Sequence, residues 1–226
     1  MVIDGISLKG SYHSQNQDSF MCSKLKEGFV IALSDGLGSL TDSKSGSQSI
    51  CESIVKLAIA LEDELMTISC EDFVTKAHQM WRKYLLLHNI RYCYATMLFV
   101  VKYRDRVFGA RLGDGFLSVQ LSDEIVLLKD DKEGLFANET YCLTEVLDLK
   151  EVSFIERSGV DVHGAILCSD GITINDMSDD ILKQFTDEFL KGYSCMPQAE
   201  IASDINSWLS DWPGSDDKTI AYCIGL

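Results

Sequence analysis

Apolar and polar positions change their period several times along the chain, and each change marks an element. Phe29-Val30-Ile31-Ala32-Leu33-Ser34 is a short unbroken apolar run that stops at Asp35-Gly36, as a buried strand ended by a turn would. Ile50, Ile54, Leu57 and Leu61 then recur at helical spacing behind Thr41, Asp42 and Ser43, which offer caps. A second amphipathic face, Phe73, Ala77, Trp81, Tyr84 and Leu85, predicts another helix ending near His88-Asn89. From there the pattern reads as β: Ala95 to Val101, Val107 to Leu112, Phe116 to Leu121 and Ile125 to Leu128, with connections short enough to predict antiparallel neighbours.

The stretch from Lys129 to Tyr141 is polar, has no clear period and reads as a loop over one face. Strands resume at Val152 to Ile155 and Gly164 to Cys168. Two further helices follow, carried by Ile181, Leu182, Phe185 and Phe189 and by Ile201, Ile205, Trp208 and Leu209, and Thr219 to Ile224 closes as a strand. Strands and helices grouped in runs point to an α+β architecture of mainly antiparallel sheets with helices outside, not to a doubly wound parallel sheet.

Composition narrows the class. At 226 residues, with 46% hydrophobic and 24% charged residues, the chain suits one globular domain spanning 1–226. Only two prolines, Pro197 and Pro213, and no repeat or low-complexity tract suggest a division. The longest uncharged stretch, Tyr92 to Val101, is half the length a bilayer span needs, so no membrane segment is expected. The N-terminus lacks the basic and apolar parts of a secretory signal, which makes a cytoplasmic location the expectation. The eight cysteines, none closer together than nineteen residues, read as reduced and mostly buried thiols. A net charge of −15 without a Lys/Arg cluster argues against nucleic acid as a partner.

Four acidic positions share one context. Asp35, Asp114 and Asp170 each follow an apolar strand and precede glycine, and Asp216-Asp217 stands just before the last strand. A carboxylate at a strand end can ionise at the solvent boundary while its neighbours hold it rigidly. Several such ends at one rim would give the oxygen-rich cage that Mg²⁺ and Mn²⁺ require. Taken singly, Asp-Gly is also a common turn dipeptide, and both readings stand on these residues alone.

In order, Asn16-Gln17-Asp18-Ser19-Phe20, Ser34-Asp35-Gly36-Leu37-Gly38, Ala95-Thr96, Leu112-Gly113-Asp114-Gly115, Leu167-Cys168-Ser169-Asp170-Gly171 and Asp216-Asp217-Lys218-Thr219 resemble the motif set of the PP2C family of metal-dependent protein phosphatases, and Phe136 to Tyr141 is similar to a bacterial subgroup. The resemblance implies an αββα sandwich of two mainly antiparallel sheets flanked by helices. It further implies hydrolysis of phosphoserine and phosphothreonine in proteins by water activated at a binuclear Mn²⁺ or Mg²⁺ centre. Phosphorylated protein substrates and a cognate Ser/Thr kinase would be the partners. By position, Asp35 would bridge both metals, the Gly36 carbonyl would bind the second, and Asp170 and Asp216 would complete the first. Asp18 would hold coordinated water, and Asp114 would serve a third, weaker metal. Asp216, not Asp217, takes the metal role because it lies three residues before Thr219.

Two positions depart from the family pattern. His13 stands where the family has its phosphate-gripping arginine. Histidine lacks the planar bidentate fork, so phosphate binding should be weaker and pH-dependent, unless Lys9, Lys44 or Arg111 serves instead. Gln17 stands where glutamate is frequent, accepting hydrogen bonds but contributing no charge. These departures motivate the alternative of a catalytically weak or inactive PP2C-like regulatory or binding domain. No Cys-x5-Arg thiolate signature and no Gly-Lys-Ser/Thr phosphate loop is present. His78, His88 and His163 show no metal-ligand spacing and read as structural or solvated, and the three tryptophans read as core.

Overall fold

A computed structural model describes residues 1–129, 140–173 and 177–225. Among these residues the order is β1 (Val2–Leu8), β2 (Ser19–Leu25), β3 (Gly28–Ser34), α1 (Ser43–Ala60), α2 (Cys70–Tyr84), β4 (Met97–Tyr103), β5 (Arg106–Leu112), β6 (Phe116–Leu121), β7 (Ile125–Lys129), β8 (Ser153–Ser158), β9 (Val162–Cys168), α3 (Asp179–Tyr193), α4 (Gln198–Asp211) and β10 (Lys218–Ile224). The strands form two five-stranded sheets, ordered β1-β10-β9-β6-β7 and β2-β3-β4-β5-β8. Every pairing between them is antiparallel.

Three apolar clusters stack these parts into four layers. Phe29, Ile31 and Leu33 of β3 join Leu98, Val100, Leu117, Val119, Leu167 and Ala221 between the two sheets. The alternate residues Val30 and Ala32 face the other way, against Ile50, Ile54, Phe73 and Trp81 of α1 and α2. On the far side Ile166, Ile220 and Tyr222 meet Leu182, Phe189, Ile201 and Ile205 of α3 and α4. A strand covered on both faces has no solvent side, which is why β3 reads as an unbroken apolar run. Two helix starts are capped by serine, Ser69 accepting from Asp72 N–H and Ser178 from Ile181 N–H, each worth about 1 kcal/mol, whereas α1, despite the candidates Thr41, Asp42 and Ser43, starts after Asp42 without a side-chain cap.

The predicted elements are present, with shifted ends and three corrections. First, β5 and β6 are not antiparallel neighbours: they lie in different sheets, and Gly113-Asp114-Gly115 carries the chain from one to the other. Both glycines have positive φ, 95° and 86°, a conformation that suits this crossing and strains other side chains. Second, α2 stops at Tyr84, and Tyr84 itself is exposed, as is Ile181 on α3. Third, Trp81 is fully buried, but Trp208 and Trp212 are only partly covered, packed edge to face with ring centroids 5.4 Å apart. All eight cysteines are free thiols, five of them buried and Cys195 exposed. The loop expected over Lys129 to Tyr141 lies, apart from its ends, outside the described residues, as does most of the Phe136–Tyr141 motif. Among the described residues no helix is long and apolar enough to cross a membrane.

Candidate metal centre

The acidic residues singled out in the sequence meet at one end of the sandwich, along the seam between the sheets. Asp18 precedes β2 and Asp35 follows β3 in one sheet, while Asp170 follows β9 and Asp216 precedes β10 in the other. Their carboxylates feel each other. Asp35 is held well above the usual carboxylate range, first by burial and then by the charges of Asp18, Asp170 and Asp216. Burial also raises Asp18, partly offset by hydrogen bonds from its neighbours. Asp170 is pushed up to about 7 by burial, then by Asp216, Asp18 and Asp114. Asp114, on the crossing between the sheets, belongs to the same field and accepts a 2.6 Å hydrogen bond from the Thr140 hydroxyl.

Local hydrogen bonds fix these side chains. Asp35 N–H donates to Thr96 Oγ1 at 2.8 Å, and Thr96 N–H donates back to the Asp35 carbonyl at 2.8 Å, tying the end of β3 to the segment entering β4. Gly36 forms a bridge to Ala95, and a Cβ on Gly36 would sit 2.7 Å from the Ser43 backbone, so only glycine lets this loop pass under the start of α1. Asp18 Oδ2 accepts from the Ser169 hydroxyl at 2.8 Å, and Ser169 Oγ accepts from Thr219 N–H at 2.9 Å. The charge of Asp18 helps to hold the Asp35 carboxyl up, a repulsion that a cation between them would relieve.

Among the described residues, three buried acceptors at this end have no donor: Asp18 Oδ1, Asp170 Oδ1 and Gln17 Oε1. A buried carboxylate oxygen without a donor costs several kcal/mol unless it is protonated or meets a cation. A set of like charges at partly accessible strand ends, with oxygens left over, fits hard divalent cations.

His13 sits at the same rim, half-buried, with Nε2 3.7 Å from Asp216 Oδ1 and its ring against Gly38 and Tyr12. The other cations weighed for phosphate are engaged. Lys9 Nζ donates to the carbonyls of Gly10 and His13, and Lys44 Nζ donates to the Asp18 carbonyl and to Ser19 Oγ. Arg111 is buried on β5 and donates to the Gly113 carbonyl.

Sequence reasoning missed the part played by Asp217. Its buried carboxylate accepts from Gly10 N–H and Gln17 N–H, both at 2.7 Å, and so pins the segment carrying His13 and Asp18 to the start of β10. Partners 207 and 200 residues away leave no local signal. Placing Asp217 on these amides accords with giving Asp216, which is partly exposed, the outward position.

The fold is shared with solved structures. Serine/threonine phosphatase Stp1 from Staphylococcus aureus superposes with a TM-score of 0.70 at 14% identity, covering 99% of this chain and 94% of that one. PppA from Pseudomonas aeruginosa, described as a key regulatory component of T6SS, gives 0.69 at 15%, covering 100% and 97%. RsbX, solved in complex with magnesium, gives 0.57 at 15%, covering 96% and 92%. No curated protein matches the sequence. The family model described as Protein phosphatase 2C matches residues 11–212. This chain therefore belongs to the protein phosphatase 2C family of metal-dependent serine/threonine protein phosphatases.

Proposed function

We propose that this chain, as one catalytic unit over residues 1–226, hydrolyses phosphoserine and phosphothreonine in protein substrates at the acidic rim. The observation that carries the reading is the convergence of Asp18, Asp35, Asp170 and Asp216 from both sheets, with buried carboxylate oxygens that no protein donor satisfies. Asp35, the Gly36 carbonyl, Asp170 and Asp216 would hold two Mn²⁺ or Mg²⁺ ions, and Asp114 a third, weaker one. Such ions supply an acidified water and neutralise charge on a phosphoryl group. The protein's own part is positional. Asp35 is held by Thr96 on one side and faces Asp18 on the other, and Asp18 is oriented by Ser169 to take a hydrogen bond from incoming water. His13, beside Asp216, is placed to donate to a phosphoryl oxygen. A cognate Ser/Thr kinase would supply the substrates in the cytoplasm.

The test is Mn²⁺- or Mg²⁺-dependent phosphate release from a phosphothreonine peptide. Chelator should abolish it, and Asp35→Asn should lower it by about a thousandfold or more, the equivalent of several kcal/mol. Undiminished turnover in Asp35→Asn rejects the proposal. One observation favours a second reading, a binding domain without turnover: the histidine in place of arginine is paired with Asp216. Mn²⁺ binding by calorimetry with no release from any phosphopeptide would select that reading.

A further inference from the structure

Outside the acidic rim, a second cluster brings three different ligand types together. Asp42, just before α1, His88, in the turn after α2, and Cys93, before β4, each offer one donor atom, and the three atoms lie within 4.8 Å of one another. Asp42 Oδ2 is 2.5 Å from His88 Nδ1 and 3.5 Å from Cys93 Sγ. We propose that Asp42, His88 and Cys93 form a separate site for a transition ion of the Zn²⁺ class.

The donor set decides the class of ion. Thiolate and imidazole are borderline to soft ligands that favour Zn²⁺ or Co²⁺ over Mg²⁺, whereas the ligands proposed at the rim are all oxygens. The spacing is close to what such an ion needs. With bonds of about 2.0–2.3 Å, tetrahedral ligand atoms stand roughly 3.3–3.8 Å apart. The Cys93–Asp42 separation already meets this, and the His88–Asp42 pair must open by about 1 Å. The side chains of His88 and Asp42 are both partly open to solvent and can make that adjustment, while Cys93 is buried.

The backbone around the cluster is anchored. Asp42 N–H donates to the Tyr92 carbonyl at 3.1 Å. Gly46, in the first turn of α1, lies so close to the Cys93 carbonyl that a Cβ there would be 1.8 Å from its oxygen, and the Gly46 carbonyl accepts from Trp81 Nε1 at 3.0 Å. Three protein ligands leave a fourth position for water, and binding as thiolate would release the Cys93 proton, while the neutral imidazole of His88 would carry its own proton on Nε2. The bound ion would fasten the loop 36–42 to the segment 88–96. The same two segments are joined by the Leu37 N–H to Tyr94 carbonyl bond and by the Gly36–Ala95 bridge.

Cobalt substitution in the full-length chain tests this. The protein is stripped with chelator, the acidic rim is saturated with excess Mg²⁺, and Co²⁺ is titrated while the near-ultraviolet thiolate-to-cobalt charge-transfer band is followed, with Zn²⁺ as competitor. The expected result is one saturable band, displaced by Zn²⁺, absent in Cys93→Ser and weakened at least tenfold in affinity in His88→Ala. Because Cys93 is buried, the exposed His88→Ala variant guards against misfolding, and Zn²⁺ should raise the melting temperature of wild type but not of that variant. No band in wild type, or a band unchanged in either variant, overturns the proposal. Neither readout depends on phosphatase turnover.

Discussion

Replacing Asp170 by asparagine should make the metal-free protein more stable, although it removes a proposed metal ligand. Asp170 is raised from an ordinary 3.8 to about 7 by burial and by the charges of Asp216, Asp18 and Asp114. A raised carboxylate holds its proton in the folded chain after the unfolded chain has lost it. The metal-free fold is therefore unpenalised below pH 3.8 and loses stability as pH rises through about 7. At about 1.4 kcal/mol per pH unit the full penalty would be about 4.5 kcal/mol. Asp170 is partly exposed and its neighbours re-titrate with it, so about 2–4 kcal/mol is the expected gain from Asp170→Asn at pH 8. For a chain of this size that is about 5–15 °C in melting temperature. Asparagine keeps an oxygen to accept from Gly171 N–H, as the aspartate does. The assay is thermal unfolding by circular dichroism in excess chelator at pH 4, 6 and 8. The variant should melt with wild type at pH 4 and progressively above it by pH 8. With Mn²⁺ at about a hundred times its Kd, wild type should gain about 2.7 kcal/mol that the variant lacks. An Asp170→Asn protein that melts at or below wild type at pH 8 in chelator would refute the picture of a repulsive rim.

Other outcomes follow from single contacts. The Tyr222 hydroxyl is buried with no partner among the described residues, so Tyr222→Phe should be neutral or stabilising by about 1 kcal/mol in a denaturant titration. Gly36→Ala would force its Cβ to 2.7 Å from the Ser43 backbone. It should lower the melting temperature and cut metal-dependent phosphate release at least tenfold, whereas Gly159→Ala, with nothing within 4 Å but a φ of 68°, should affect stability alone. His13→Arg should raise kcat/KM for a phosphopeptide by about tenfold, mainly through KM, because a bidentate charged donor replaces a single one. An unchanged KM would remove position 13 from phosphate binding.

Strands buried on both faces announced themselves in the sequence, as β3 did by its unbroken apolar run and β9 by its buried stretch from Gly164 to Cys168, each followed shortly by Asp-Gly. Strand β1 went unnamed because every residue in it is only half-buried and Asp4-Gly5 interrupts its pattern. The Gly113-Asp114-Gly115 connection was misread because a three-residue link between apolar runs has the length of a hairpin turn. Only the two sheets' identities reveal a crossing. At the rim, Asp18, Asp35, Asp114, Asp170 and Asp216 were legible as an ordered set of motifs. The supports were not: Asp217 holding two distant amides and Ser169 orienting Asp18 depend on contacts that no local pattern encodes. The same holds for Asp42, His88 and Cys93, whose spacing along the chain gives no hint of their proximity.

The seam on which the acids stand makes their arrangement a gauge of how the two sheets dock. Asp18 and Asp35 ride on one layer and Asp170 and Asp216 on the other, so a slip of an ångström between layers would separate the two pairs while leaving each strand intact. Trimming Leu98 or Val119, which interlock between the layers, would then blunt cation affinity before it unfolds anything. Catalytic competence in such a molecule can be tuned from its middle, without touching its edge.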